Sequence, residues 1–116
     1  MRFGEVWWVE FDEWRPVVLV AEPEADVVRA IQVVEPAKVD IAGVAVELEV
    51  GPAEGLPFTG VLRVALPMPG LIPCTWEITL RPEDLLERAG ELSGDKLLGL
   101  QELLRLAGQT VQGGCV

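Results

Sequence analysis

The chain has 116 residues, half of them apolar, which is enough for one folded domain with a sizeable core and too few for two. Its 9 basic residues face 19 acidic ones, a net charge of −10, which argues against a broad nucleic-acid-binding face because phosphate neutralisation needs clustered Lys and Arg. Histidine and tyrosine are absent, so a Ser-His-Asp triad, a histidine zinc site and a paired-histidine ribonuclease mechanism are all excluded.

The totals set further expectations. A metal site would have to be built from carboxylates, and the acidic residues lack D-x-D-x-D spacing, so no metal and no cofactor are expected. No apolar run approaches the roughly 18–20 residues that span a bilayer, and MRFGEV lacks a signal-peptide core. The expected compartment is therefore the cytoplasm, with no membrane partner. Cys74 and Cys115 show no CxxC spacing and are expected to be free thiols there.

In chain order, Val6 to Phe11 is rich in Val, Trp and Phe and reads as a strand. Asp12, Glu13 and Trp14 form a short connection. Pro16 to Val20 is a continuous apolar run, as in a strand buried on both faces. The two make a hairpin with Arg15 at its rim, where a cation has a rigid base beneath it. An ion pair of Arg15 with Asp12 or Glu13 is the plainer reading of that position.

AEPEAD, from Ala21 to Asp26, is a loop, and Val27 to Val34 a third strand with Arg29 and Gln32 as its polar members. Ile41 to Val50 ends in clean alternation, with Val44, Val46, Leu48 and Val50 on one face and Ala45, Glu47 and Glu49 on the other. GPAEGLP is a turn, and Phe58 to Leu66 the fifth strand. Three prolines between Pro67 and Pro73 force irregular extended chain. Cys74 to Leu80 is a strand in which Glu77 is expected to face solvent. Arg81 to Arg88 reads as a short helix with Pro82 in its first turn. Ser93 is an N-cap for a helix from Gly94 to Ala107, stopped by Gly108. Residues 109–116 carry no pattern and are expected to be loose. Many short strands with Gly/Pro turns and a terminal helix predict a mostly β fold, a small barrel, over residues 1–116.

Two stretches carry a resemblance. GEVWWVEFD followed by RPVVLV resembles the opening G-[DE]-[IV]-W-x-V-[DE]-[FL]-D … R-P-V-[VL]-[VL]-V of the MazF/PemK/Kid family of bacterial toxins. LSGDKLLGLQELL, Leu92 to Leu104, is similar to that family's closing L-S-x-x-x-L-x-x-[LV]-x-x-x-L helix. The resemblance implies a small SH3-like barrel of the MazF/PemK/CcdB type, a homodimer, an antitoxin protein as partner, and metal-independent cleavage of single-stranded RNA. It implies a catalytic role for Arg15, which precedes Pro16 as in the family's R-P pair. The family's second catalytic residue is a Thr near the end of the third strand, and Gln32 stands at that position. The family's hairpin loop is also longer than the three residues found here.

The resemblance therefore leaves alternatives open. One is a catalytically degenerate MazF-like module that binds a protein, in line with Gln32, the short loop and the negative charge. Another is an inhibitor of a different target on the same fold. Arg29 and Trp14 are candidate substrate-binding groups. Trp7, Trp8, Trp14 and Trp76 have the chemistry to stack on bases, each worth roughly 1–3 kcal/mol, but core or dimer packing is the commoner use of such residues. At least one of Trp7 and Trp8 should be core. Thr75 and Thr79 are ordinary strand threonines unless one supplies the missing hydroxyl. Cys74 has no base beside it to make it a nucleophile.

Overall fold

A computed structural model describes residues 2–10, 12–22, 24–66 and 77–106. Its elements in order are β1 (Glu5–Glu10), β2 (Trp14–Leu19), β3 (Val28–Gln32), β4 (Ala45–Val50), β5 (Gly60–Ala65), β6 (Glu77–Leu80), β7 (Leu85–Glu91) and α1 (Gly94–Leu106). The molecule is mostly β with one C-terminal helix. Five strands form an antiparallel sheet in the order β6-β3-β2-β1-β7, and β4 pairs with β5 in a second sheet; among the described residues neither sheet closes on itself.

The hairpin is where the sequence puts it. Val6 pairs with Val18, Trp8 with Pro16 and Glu10 with Trp14. Trp14 is thus the first residue of β2 rather than part of the connection. β2 lies at the centre of its sheet, so its PVVL run is buried throughout. Pro16 has no N–H to give, but its carbonyl accepts a 3.0 Å hydrogen bond from the Val33 N–H beyond the end of β3.

Alternation then divides the side chains between two cores. Val6, Val18, Val20, Ile31 and Val33 meet Val50, Leu56, Leu62, Val64 and the helix residues Leu100 and Leu103 on one face. Val9, Val17, Leu19, Val28, Ala30 and Leu85 pack on the other. Trp8 is half-buried against the first cluster and Trp7 against the second. Each tryptophan thus serves a core. The second sheet joins the first through reciprocal backbone hydrogen bonds between Val34 and Val61, at 2.9 and 2.8 Å. Along β4, Val46, Leu48 and Val50 face the core as the alternation predicts, but Val44 precedes the strand and is exposed; Glu47 faces Arg63 across the pair at 2.7 Å.

The helix expected over Arg81 to Arg88 is absent. Pro82–Asp84 is one 3-10 turn, and Leu85–Glu91 is a strand on the outer edge of β1. Local propensity in LLER favours a helix, but the open edge of β1 offers a full ladder of hydrogen bonds, and pairing wins. Two register shifts leave Leu86 and Ala89 without Cα partners, so β7 coils as it runs. That irregularity hides the strand from a search for alternation.

Gly4 locks the ends of the chain together. Its N–H donates to Leu19 at 2.8 Å, and its carbonyl accepts from Leu92 at 2.9 Å. Its φ of 88° lies in the left-handed region, and a Cβ there would collide with Leu97 of α1. The Ser93 carbonyl accepts from the Leu97 N–H at 2.8 Å, which starts the helix where the cap was expected. Leu100 and Leu103 then bury, each contributing about 1.5–3 kcal/mol. Lys96 secures the same end, donating to the Glu49 carbonyl and lying 3.8 Å from the buried carboxylate of Glu54. Among the described residues, no helix is long and apolar enough to cross a membrane. Cys74, Thr75, Trp76, Cys115 and the tail 109–116 lie outside the described residues.

Candidate functional site

An open groove of about 550 Å³ lies where β2 begins, β3 ends and β5 begins. Glu13, Trp14, Arg15 and Pro16 form one wall, Val33, Val34 and Glu35 the second, and Phe58, Thr59 and Gly60 the third. The strand ends place these groups. Trp14 and Pro16 share the alternation of Val18, which points to the first core, so the groove is the solvent-facing end of that core. Gly60 permits the closure, because a Cβ there would meet Val33 and the Val34 carbonyl.

The walls combine aromatic surface with carboxylates. Trp8 lies behind the opening with its ring centroid 6.5 Å from Trp14 and 6.3 Å from Phe58, the latter nearly edge-on at 78°. Trp14 is 50% exposed and Phe58 45%, large apolar surfaces left open beside a sheltered partner. Glu13 and Glu35 are exposed at the rim.

Arg15 is at the rim as expected, and it is engaged. Its Nε lies 3.5 Å from Asp12 and a terminal nitrogen 3.0 Å from Glu13. The plainer reading of Arg15 is therefore met by both carboxylates at once. Asp12, Glu13 and Glu35 outnumber Arg15, and Arg63, which donates to the Glu35 carbonyl at 2.6 Å, is itself paired with Glu47, so the charge around the groove is negative. A phosphate arriving here would first have to displace two carboxylates from the guanidinium.

The other expected site residues are only partly brought together. Trp14 lines the groove with Arg15. Gln32 sits across from Val17 and shares Arg15's side of the sheet, but is not among the groove-lining residues. Arg29 is a correction. It lies on the opposite face from Arg15 and Gln32, because neighbours along β3 alternate and Ile31 belongs to the first core while Ala30 belongs to the second. Its guanidinium reaches both carboxylate oxygens of Glu77, at 2.9 and 3.1 Å. Glu77 in turn is buried, not solvent-facing as expected. Here β3 and β6 pair, setting Ile31 opposite Glu77 and so bringing the carboxylate beside Arg29. Charge of opposite sign on two strands was visible in the sequence, but their pairing across 48 residues was not.

Sequence reasoning also missed Phe58 and Glu35. An aromatic residue following the Gly/Pro turn was a usable signal for Phe58. Nothing local marks Glu35, which enters the groove through the Val34–Val61 bridge.

Another ion pair joins β1 to β7. The Glu5 carboxylate accepts from the Trp7 indole at 3.0 Å, from the Arg2 N–H at 3.1 Å and from Arg88 at 3.3 Å. Burial alone would raise its pKa. The hydrogen bonds from Trp7 and Arg2, the N-terminal charge and Arg88 overcome that and hold it below the ordinary glutamate value.

Comparison with protein-family models and with curated proteins gave no match.

Proposed function

We propose that this chain is a toxin component of the MazF/PemK type, acting as a metal-independent endoribonuclease on single-stranded RNA. One observation carries the reading: Arg15, followed directly by Pro16, lines an open groove beside exposed Trp14 and Phe58. The order of hairpin, further strands and terminal helix also supports it. In this reading the two sheets correspond to a small SH3-like barrel, the working unit is a dimer, and an antitoxin protein controls it. The ribose 2′ oxygen, giving its proton to solvent, attacks the adjacent phosphorus and forms a 2′,3′-cyclic phosphate as the P–O5′ bond breaks and the departing 5′ oxygen takes a proton from water. Arg15, released from Asp12 and Glu13, meets the phosphate with its planar fork as negative charge gathers in the transition state. Trp14 supplies a face for a base.

Incubation of the purified protein with single-stranded RNA tests this. Cleavage is expected, and Arg15→Ala should reduce it by on the order of a hundredfold, as loss of one preorganised donor does, with the fold retained. No cleavage by the parent above background sinks the reading.

A second reading has its own support. Arg15 is held by two carboxylates, and Gln32 offers an amide where the resembling family has a hydroxyl, outside the groove lining. These observations favour a catalytically degenerate, protein-binding relative. Cleavage by the parent and by Gln32→Thr separates the two: an enzyme short of a hydroxyl cleaves and is raised by Gln32→Thr, whereas a binding module cleaves in neither form.

A further inference from the structure

In the protein-binding reading, the carboxylates and aromatic surface of the groove suit a cation better than a phosphate. Trp14 and Phe58 expose aromatic surface, and an aromatic ring attracts a cation lying over its face within about 6 Å of the centroid. Glu13 and Glu35 stand at the rim of the same groove, and Asp12 adds a third carboxylate beside Arg15. Arg15 offsets one of these charges and leaves the remainder. The walls between them carry apolar groups, Pro16, Val33 and Val34, of which Val34 is half-buried and the other two buried. The net charge of −10 extends the same preference over the whole molecule and steers a basic partner inward.

We infer that this groove binds a protein segment that presents an arginine or lysine next to an apolar side chain. The cation lies against Trp14 and pairs with Glu13 and Glu35, and the apolar neighbour covers Phe58 and the half-buried Val34. The inference deepens the protein-binding reading above by naming the partner's chemistry. It reverses the part played by Arg15, which becomes a like charge that the incoming cation must tolerate rather than the group that holds the ligand.

The test uses the full chain labelled with nitrogen-15 and follows its indole N–H signals. The probes are a capped peptide of alternating arginine and leucine, its glutamate–leucine counterpart, and a short single-stranded RNA. The arginine peptide should shift the Trp8 and Trp14 signals, and the glutamate peptide should not. Trp14→Ala or Glu13→Gln should weaken arginine-peptide binding by about tenfold at low salt, within the range of such contacts. Glu83→Gln, an exposed carboxylate on the Pro82–Asp84 turn, should leave it unchanged. Arg15→Ala should strengthen it by about two- to fivefold, since a like charge is removed. Equal losses in Glu13→Gln and Glu83→Gln would mean general attraction to an acidic surface and overturn the proposal. So would weaker binding in Arg15→Ala, or RNA shifting the two indoles while the arginine peptide shifts neither. RNA cleavage followed in parallel bears on the ribonuclease reading alone, so the two can fail separately.

Discussion

Arg15 and Arg29 sit on neighbouring strands of one sheet, and both form ion pairs, yet their surroundings make them opposites. Arg15 is 38% exposed and holds two carboxylates that are 79% and 68% exposed. Arg29 is 42% exposed, but its partner Glu77 is only 3% exposed and takes hydrogen bonds on both oxygens. The arginines are alike, so the carboxylates make the difference. An exposed carboxylate released by arginine goes back to water at little cost. A buried one has nowhere to go, and removing its partner strands a charge in a poor solvent. Arg29 is therefore committed to the sheet, while Arg15 can be released to a ligand.

The largest effect is expected where that contrast is broken from the buried side. Arg29→Ala should destabilise the fold by about 2–3 kcal/mol, below the full penalty of a wholly buried pair because Arg29 itself reaches solvent. Chemical denaturation at neutral pH measures it. The double variant with Glu77→Gln should recover part of the loss, because the stranded charge is gone. A loss under about 0.5 kcal/mol in Arg29→Ala would put Glu77 in contact with water after all.

Glu5 is the intermediate case, with its side chain 12% exposed and Arg88 44% exposed. Its carboxyl is held below the ordinary value in the folded state. The charged form is thus the one that stabilises the fold. Its contribution is full above the unfolded-state pKa of about 4.3 and is lost as pH falls through the lower folded-state value. Glu5→Gln should destabilise the protein at neutral pH and approach the parent as the solution is acidified. Denaturation curves at pH about 7 and about 3, either side of that window, check the sign. A difference that grows in acid would contradict it.

The smallest effect belongs to Arg15. Its replacement by alanine should change stability by no more than about 0.5 kcal/mol, as expected for exposed ion pairs. Thermal or chemical unfolding tests this directly. A loss comparable to that of Arg29→Ala would show that Arg15 is structural and end the contrast between the two.

The hairpin and the terminal helix were legible because each is a local pattern with its own punctuation. PVVL is apolar without interruption because β2 is central, and Ser93 marks the start of a helix whose leucines recur on one side. β7 was illegible because its two register shifts remove the alternation and LLER favours a helix in isolation. For the candidate site, Arg15 was legible from its place at the hairpin rim before Pro16, and Trp14 from its aromatic chemistry, although the sequence put it in the connection rather than in β2. Phe58 and Glu35 arrive from connections far along the chain, and Arg29, a substrate-binding candidate in the sequence, stands three residues from Gln32 on β3 and so falls on the opposite face.

By itself, then, the sequence determined which segments are strands in the hairpin, which helix closes the chain, and how much negative charge the surface carries. Those properties depend on side-chain type at short range, where periodicity of two or near four residues is enough. Only the tertiary structure decided that Glu77 is buried against Arg29, that β7 is a strand, and that the groove around Arg15 is aromatic and acidic. Each of these depends on which strand edge lies next to which. That choice is made by burying both faces of the central strands and satisfying their hydrogen bonds together, which no single stretch of sequence specifies.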